Sequence, residues 1–285
     1  MANQVEFGPA TVTLAAILIM QPADSSLAHL PRHYHRLGAF RGYFREGTPI
    51  LTYHAIEHPP RRTQFRGLFY SPQDFAQQLG ELKRAGFRTV APAETCAAAG
   101  EPRVALTFDD GFANLSRHAL APLAENQFSA TVFLVADMIG KTNEWDTPAG
   151  VTARPLMDAA QVREWLAAGH RIGSHTLTHP HLPRISPAQA REEIHASKRK
   201  LEDRFGVPVT DLCYPYGEWT ERDATLAAEA GYATACTTKF GLNAAATGRH
   251  ALFRLTVRRP TRSWKTFRQW LLRNYSLLLA RPGRA

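Results

Sequence analysis

The feature that most constrains this chain is a repeated order of strand, loop and helix running from about residue 49 to residue 257. Short runs rich in β-branched and aromatic residues, at 49–53, 87–90, 104–108, 130–135, 171–174, 212–214, 232–237 and 252–257, read as strands. Between them lie amphipathic stretches with start and stop signals. Ser71-Pro72 opens a helix with Phe75, Leu79 and Leu82 on one face and Gly86 as its stop; Asp158 caps another that closes at Gly169; Ser186-Pro187 begins a long one ending at Phe205 and Gly206; Thr220 begins a fourth. A single helix is expected over 113–126, and a loop without periodicity over 140–155. The run 130–135 is apolar throughout, as a strand covered on both faces must be. Parallel strands joined by helical crossovers imply an α/β fold, and seven or so such units predict closure into a distorted (β/α)7-type barrel forming a single domain.

In such a barrel, chemistry gathers where strands end. The strand at 104–108 ends on two adjacent carboxylates, Asp109 and Asp110, followed by Gly111. Each raises the other's pKa and the core desolvates both, so the pair needs a cation or a proton beside it; taken alone, Asp-Asp-Gly also suits a plain turn. The strand at 171–174 leads into Ser174-His175-Thr176-Leu177-Thr178-His179-Pro180. Two histidines at i and i+4 are expected on one face of a helical turn, where both imidazoles reach one ion. Two histidines and one carboxylate with an open position form a catalytic zinc pattern. His54 sits at the end of the strand 49–53, a place where a histidine is more often a structural hydrogen-bonding group than a catalyst.

Thr107-Phe108-Asp109-Asp110-Gly111, Ser174 to Pro180, and Tyr214-Pro215-Tyr216-Gly217 resemble, in order, the first three motifs of the NodB-like polysaccharide deacetylases, carbohydrate esterase family 4. The resemblance covers about 48–260. The early Thr52-Tyr53-His54 is similar to the bacterial exopolysaccharide, or poly-N-acetylglucosamine, deacetylase subgroup. The resemblance implies hydrolysis of N-acetyl groups on a hexosamine-containing polysaccharide or glycolipid. It implies Asp110, His175 and His179 as metal ligands, Asp109 as general base, His54 as the acid that protonates the leaving nitrogen, and Tyr216 with Pro215 at the sugar, the Tyr216 amide completing the oxyanion site. One divalent ion is expected, zinc first, with cobalt or nickel compatible with the same donors. Many members carry, two residues before the third-motif proline, an arginine that steers the base. Here that position is Cys213, and Arg254 is expected to take the role, with Arg258 and Arg259 not separable from it by sequence. The family's Asp-Trp motif is not found.

Two other readings stand beside this one: a catalytically silent glycan-binding module, and a metal amidohydrolase of non-sugar cyclic amides on the same fold. Charge narrows the partners. Lys and Arg total 34 against 25 Asp and Glu, a net +9, which suits an anionic glycan or a membrane surface. No nucleic-acid recognition motif accompanies it. Three scattered cysteines and no Cys-x-x-Cys argue against a disulfide framework and against sulfur ligation of zinc. Residues 1–40 are expected to be an N-terminal extension or signal segment, 41–262 the deacetylase domain, and 263–285 an amphipathic helix with a basic tail. The helix at 263–280 suits peripheral membrane contact in reach of a lipid-linked glycan. The apolar run 9–20 and a small-residue site near Ala28 point to a periplasmic or extracytoplasmic location; the missing basic n-region leaves a cytoplasmic one open. Oligomeric state is not legible.

Overall fold

The computed structural model describes residues 30–60, 63, 66–97, 100–149 and 152–259. The expected N-terminal signal segment and the helix at 263–280 lie outside the described residues. In chain order the elements are α1 (Leu37–Phe40), β1 (Ile50–Tyr53), β2 (Ala55–Ile56), β3 (Phe69–Tyr70), α2 (Pro72–Arg84), β4 (Arg88–Thr89), β5 (Arg103–Phe108), α3 (Asn114–His118), α4 (Leu120–Glu125), β6 (Thr131–Leu134), α5 (Ala159–Ala167), β7 (Arg171–Ser174), α6 (Pro187–Phe205), β8 (Asp211–Cys213), α7 (Glu221–Glu229), β9 (Thr234–Cys236) and β10 (Leu255–Thr256).

All pairings of the main sheet are parallel, in the order β10-β1-β5-β6-β7-β8-β9, with β4 also paired to β5. The segment after β9 curls the sheet round. Leu252 bridges Cys236 of β9, and three residues later Leu255 pairs with Leu51 of β1, so one short run touches both ends of the strand order. This is the expected distorted (β/α)7-type barrel. Every residue of β1, β6, β8 and β9 is buried, as helices on the outside and packed side chains on the inside require. Ile50, Ala105, Phe133, Cys213, Cys236 and Leu252 meet in one cluster of this core.

Local signals set the helices. Ser71 accepts from the Asp74 amide with Pro72 behind it; Asp158 with Gln161 and Ser186 with Gln189 form capping boxes; Gly206 ends α6 in the left-handed region at φ 68°. The single helix expected over 113–126 is instead two, α3 and α4, meeting at Ala119. Pro122 has no N–H to offer the His118 carbonyl and its ring crowds that oxygen, so the first helix stops there. The expected loop at 140–155 contains a 3-10 helix, Glu144–Ala149. Packing also starts before residue 41: Tyr34, Leu37 and Phe40 are buried, and the Tyr34 amide donates to the Thr256 carbonyl. Two elements absent from the sequence reading, β2 and β3, form a small parallel sheet beyond the end of β1.

Candidate active site

His54, Asp109, Asp110, His175, Cys213 and Tyr216 all sit at or just past the C-terminal ends of β1, β5, β7 and β8. Adjacent strands hold the ends level, with the Asp109 amide donating to the Tyr53 carbonyl and the His175 amide to the Leu134 carbonyl.

The two neighbouring aspartates face different partners because the backbone turns between them. Asp110 lies in the left-handed region at φ 69°, followed by Gly111 at φ 74°. Glycine suits that positive φ, and a Cβ there would come within 2.6 Å of the tip of the Leu134 side chain and displace it. Of the five non-glycine residues with positive φ among the described residues, four are Asp110, Thr176, His179 and Tyr216. Unfavourable backbone of this kind persists where surrounding structure enforces it, typically at functional sites.

Asp109 is buried and clamped by Arg254, whose Nη1 and Nη2 donate to its two oxygens at 2.7 and 2.8 Å. Arg254 is itself buried, and its Nε donates to the Thr237 carbonyl. Burial alone would raise the Asp109 pKa. The Arg254 charge and hydrogen bonds overcome it and hold the carboxyl well below its usual range. This separates Arg254 from its neighbours: Arg259 pairs with Asp74, and Arg258 packs over Gly67.

Asp110 points the other way. Its Oδ1 lies 3.6 Å from His175 Nε2 and 3.5 Å from His179 Nε2. Ligand atoms held ~2.1 Å from one tetrahedral ion stand about 3.3–3.4 Å apart, so this spacing fits a shared divalent cation. Burial, then Asp109 and Asp146, push the Asp110 pKa well up, an instability that a cation between the three side chains would relieve. Burial lowers the pKa of His175 and His179, keeping both imidazoles neutral as ligation needs. His175 Nδ1–H donates to the Cys213 carbonyl at 2.7 Å, which fixes its tautomer with Nε2 toward Asp110. A second group, Asp109, His175 and the Cys213 thiol, is also close enough to hold an ion. Arg254 already occupies both Asp109 oxygens, and burial pushes the Cys213 thiol well up into its neutral form, so the donors of the first group are the better set.

The histidines are not on a helical turn. Residues 175–181 have no regular structure, and Thr176 at φ 67° and His179 at φ 66° reverse the chain so that the rings meet with centroids 4.8 Å apart. Glu193 of α6 holds this loop: one carboxylate oxygen accepts from the Leu177 and Thr178 amides at 2.9 and 3.0 Å, the other from the Thr178 hydroxyl at 2.6 Å. Trp145, from the 3-10 helix at 144–149, stacks on His179 at 4.5 Å and 21°. Neither Glu193 nor Trp145 stands out in the sequence. Their nearest signal is the i, i+4 histidine pair they serve.

His54 lies across from this group, with Nε2 3.9 Å from Asp109 Oδ2 and its side chain 21% exposed. Burial lowers its pKa to about 4, against the pull of Asp109 and with the push of Arg254. Tyr216 stands exposed at the rim, in a tight turn at φ 59°, with its ring centroid 4.6 Å from that of His179 and the two planes 70° apart. Pro215 is buried beneath that turn rather than open to the site. The set therefore joins one carboxylate fixed by an arginine, a second carboxylate turned to two neutral imidazoles, and a histidine at the edge, an arrangement that could hold a cation with a proton acceptor beside it.

The comparisons with known proteins name the family. The polysaccharide deacetylase model matches residues 97–235. A putative polysaccharide deacetylase of Bacillus subtilis, YxkH, is 26% identical over 215 residues, covering 73% of this chain and 71% of that protein. The chitooligosaccharide deacetylase of Sinorhizobium fredii is 30% identical over 138 residues, covering 47% of this chain and only 56% of its own length. The Streptococcus pyogenes deacetylase PplD, solved in complex with acetate, superposes with a TM-score of 0.65 at 27% identity over 78% of this chain and 97% of that one. IcaB from Ammonifex degensii shares the fold with a TM-score of 0.61 at 23% identity, over 79% and 96%. Residues 97–235 are a polysaccharide deacetylase domain of the NodB-like kind.

Proposed function

We propose that this chain is a divalent-metal-dependent hydrolase that removes N-acetyl groups from a hexosamine-containing glycan, using Asp109 as base and His54 as acid. The observation that carries the reading is the division of the Asp109-Asp110 pair, one carboxylate clamped by Arg254 and its neighbour facing His175 and His179. Relatives named as deacetylases of chitooligosaccharide and of peptidoglycan N-acetylglucosamine support the substrate class.

A divalent ion held by Asp110, His175 and His179, zinc by preference among zinc, cobalt and nickel, would polarise the amide carbonyl and acidify water. Asp109 accepts the proton of the attacking water; Arg254 keeps both oxygens oriented and the group ionised at rest. His54 delivers a proton to the departing nitrogen from the opposite side of Asp109. With its pKa near 4 it rests neutral, so the proton that Asp109 takes from water must pass to His54, whose Nε2 lies 3.9 Å from Asp109 Oδ2, before the imidazolium so formed gives it to the nitrogen. The Tyr216 amide faces the developing oxyanion, and its ring borders the sugar.

The test pairs metal content with acetate release from N-acetylglucosamine oligomers and acetylated peptidoglycan. About one divalent ion per chain is expected. Asp109→Asn should retain the ion and lose roughly 10²–10⁴-fold in kcat. Unchanged turnover in that variant would remove Asp109 from the base role.

A further inference from the structure

The two imidazoles that face Asp110 are held in different ways. His175 is fixed by a hydrogen bond, its Nδ1–H donating to the Cys213 carbonyl at 2.7 Å. A ligating histidine is ordinarily oriented by such a bond from its second nitrogen. His179 has none: its Nε2 lies 3.5 Å from Asp110 Oδ1, but its buried Nδ1 has no hydrogen-bond partner among the described residues. Its amide donates to Thr176 Oγ1 at 3.2 Å, which ties the backbone and leaves the ring to be oriented by other contacts, since χ2 of a histidine is only weakly restricted on its own.

Those contacts are aromatic. Trp145 lies nearly parallel to the His179 ring, with centroids 4.5 Å apart and planes 21° apart, whereas Tyr216 and His175 meet it steeply, at 70° and 74°. A ring turning about its χ2 sweeps its edge into a neighbour stacked on its face, so the parallel partner is the one that fixes the plane. Trp145 is itself backed, packing against the cluster of Ala55, Phe69, Phe112 and Leu156. Just before it, Asn143 closes the base of its segment. Buried, Asn143 donates from Nδ2 to Asp146 Oδ2 at 2.8 Å, accepts the Arg154 amide on Oδ1 at 2.6 Å, and donates its own amide to the Arg154 carbonyl at 3.1 Å. Tyr216, by contrast, is 39% exposed.

We infer that Trp145 is the positioning residue of His179: its indole face holds that imidazole as the Cys213 carbonyl holds His175, and affinity for the divalent ion depends on it. The 3-10 helix at 144–149 is thereby part of the metal site, although it supplies no donor to the ion. This inference rests on the metal site of the deacetylase reading.

The test measures the zinc affinity of the purified protein by competition with a chelating dye, without substrate. Trp145→Ala and Trp145→Leu should each weaken zinc binding roughly three- to tenfold, and Trp145→Phe should restore it to within about twofold of wild type. Leucine and phenylalanine both keep the apolar cluster filled, so recovery by phenylalanine alone separates the flat ring from packing, and the comparison holds even if the alanine variant does not fold. Wild-type affinity in Trp145→Leu, or a Trp145→Phe protein that binds no tighter than Trp145→Leu, overturns the positioning role while the metal site stands. Absence of zinc binding to wild type removes the metal site, and the positioning role with it.

Discussion

Arg254 reaches Asp109 with both terminal guanidinium nitrogens, at 2.7 and 2.8 Å, across 145 residues of sequence. The pair is buried on both sides, so neither charge is solvated if the other is removed. Arg254→Ala should therefore cost stability of about 3–5 kcal/mol in chemical denaturation. The unopposed burial would also drive the Asp109 pKa upward, so the acid limb of the kcat profile should move toward neutral pH while the metal stays bound. Arg254→Lys should recover part of the stability and less of the rate, since an ammonium cannot hold both oxygens in one plane. A variant with the wild-type pH profile would show that Arg254 only packs.

Glu193 is exposed to a different test. It touches no proposed ligand, yet it receives three hydrogen bonds from Leu177 and Thr178, the residues between the two histidines. Glu193→Ala should weaken metal affinity about 10–100-fold, as loss of groups that orient ligands does elsewhere. Competition with a chromophoric chelator reads this directly. Saturating metal should return most of the activity, which distinguishes a positioning role from a part in catalysis.

These two residues also show what the sequence could disclose. The acid pair and the two histidines are legible because strand ends and motif order place them, Arg254 only as one of three late arginines, and the caps of α2, α5 and α6 fall where Ser71, Asp158 and Ser186 stand. The histidine loop was read as a helical turn because i, i+4 spacing is the helical rule; nothing about a threonine or a histidine announces positive φ. Trp145 lies 34 residues before the His179 ring it stacks on, in a stretch without periodicity, and its place depends on how the 3-10 helix folds back. Contacts of that range are set by tertiary packing, which local pattern does not encode.

Cys213 separates two donor sets. Its thiol stands near Asp109 and His175, while its carbonyl orients His175 through Nδ1. Only the carbonyl has a role in the proposed site, and the backbone supplies it whatever the side chain. Cys213→Ser should keep metal stoichiometry and change kcat by less than about threefold, with a stability loss of ~1–3 kcal/mol from burying a hydroxyl. Loss of the ion in this variant, read by metal analysis, would shift the ligand set to Asp109, His175 and Cys213.

His170 makes the fold sensitive to acid away from the site. It is buried just before β7, packs against Trp165 at 4.4 Å, and neither ring nitrogen has a partner among the described residues. Burial lowers its pKa from 6.5 to about 4. Between those two values the unfolded chain binds a proton that the folded chain does not, so stability rises with pH across that window and is lost as pH falls from 6.5 toward 4. Above 6.5 both states are neutral and the group contributes no pH dependence. His170→Phe should therefore shrink the loss of unfolding free energy between pH 7 and pH 4.5 by about 2 kcal/mol relative to wild type. His54, His175 and His179 also have lowered pKa values and remain in both proteins, so the difference between the two denaturation series isolates His170. Parallel series across that range would mean that His170 is solvated or paired in solution, and the acid sensitivity of the fold would then fall to the site histidines.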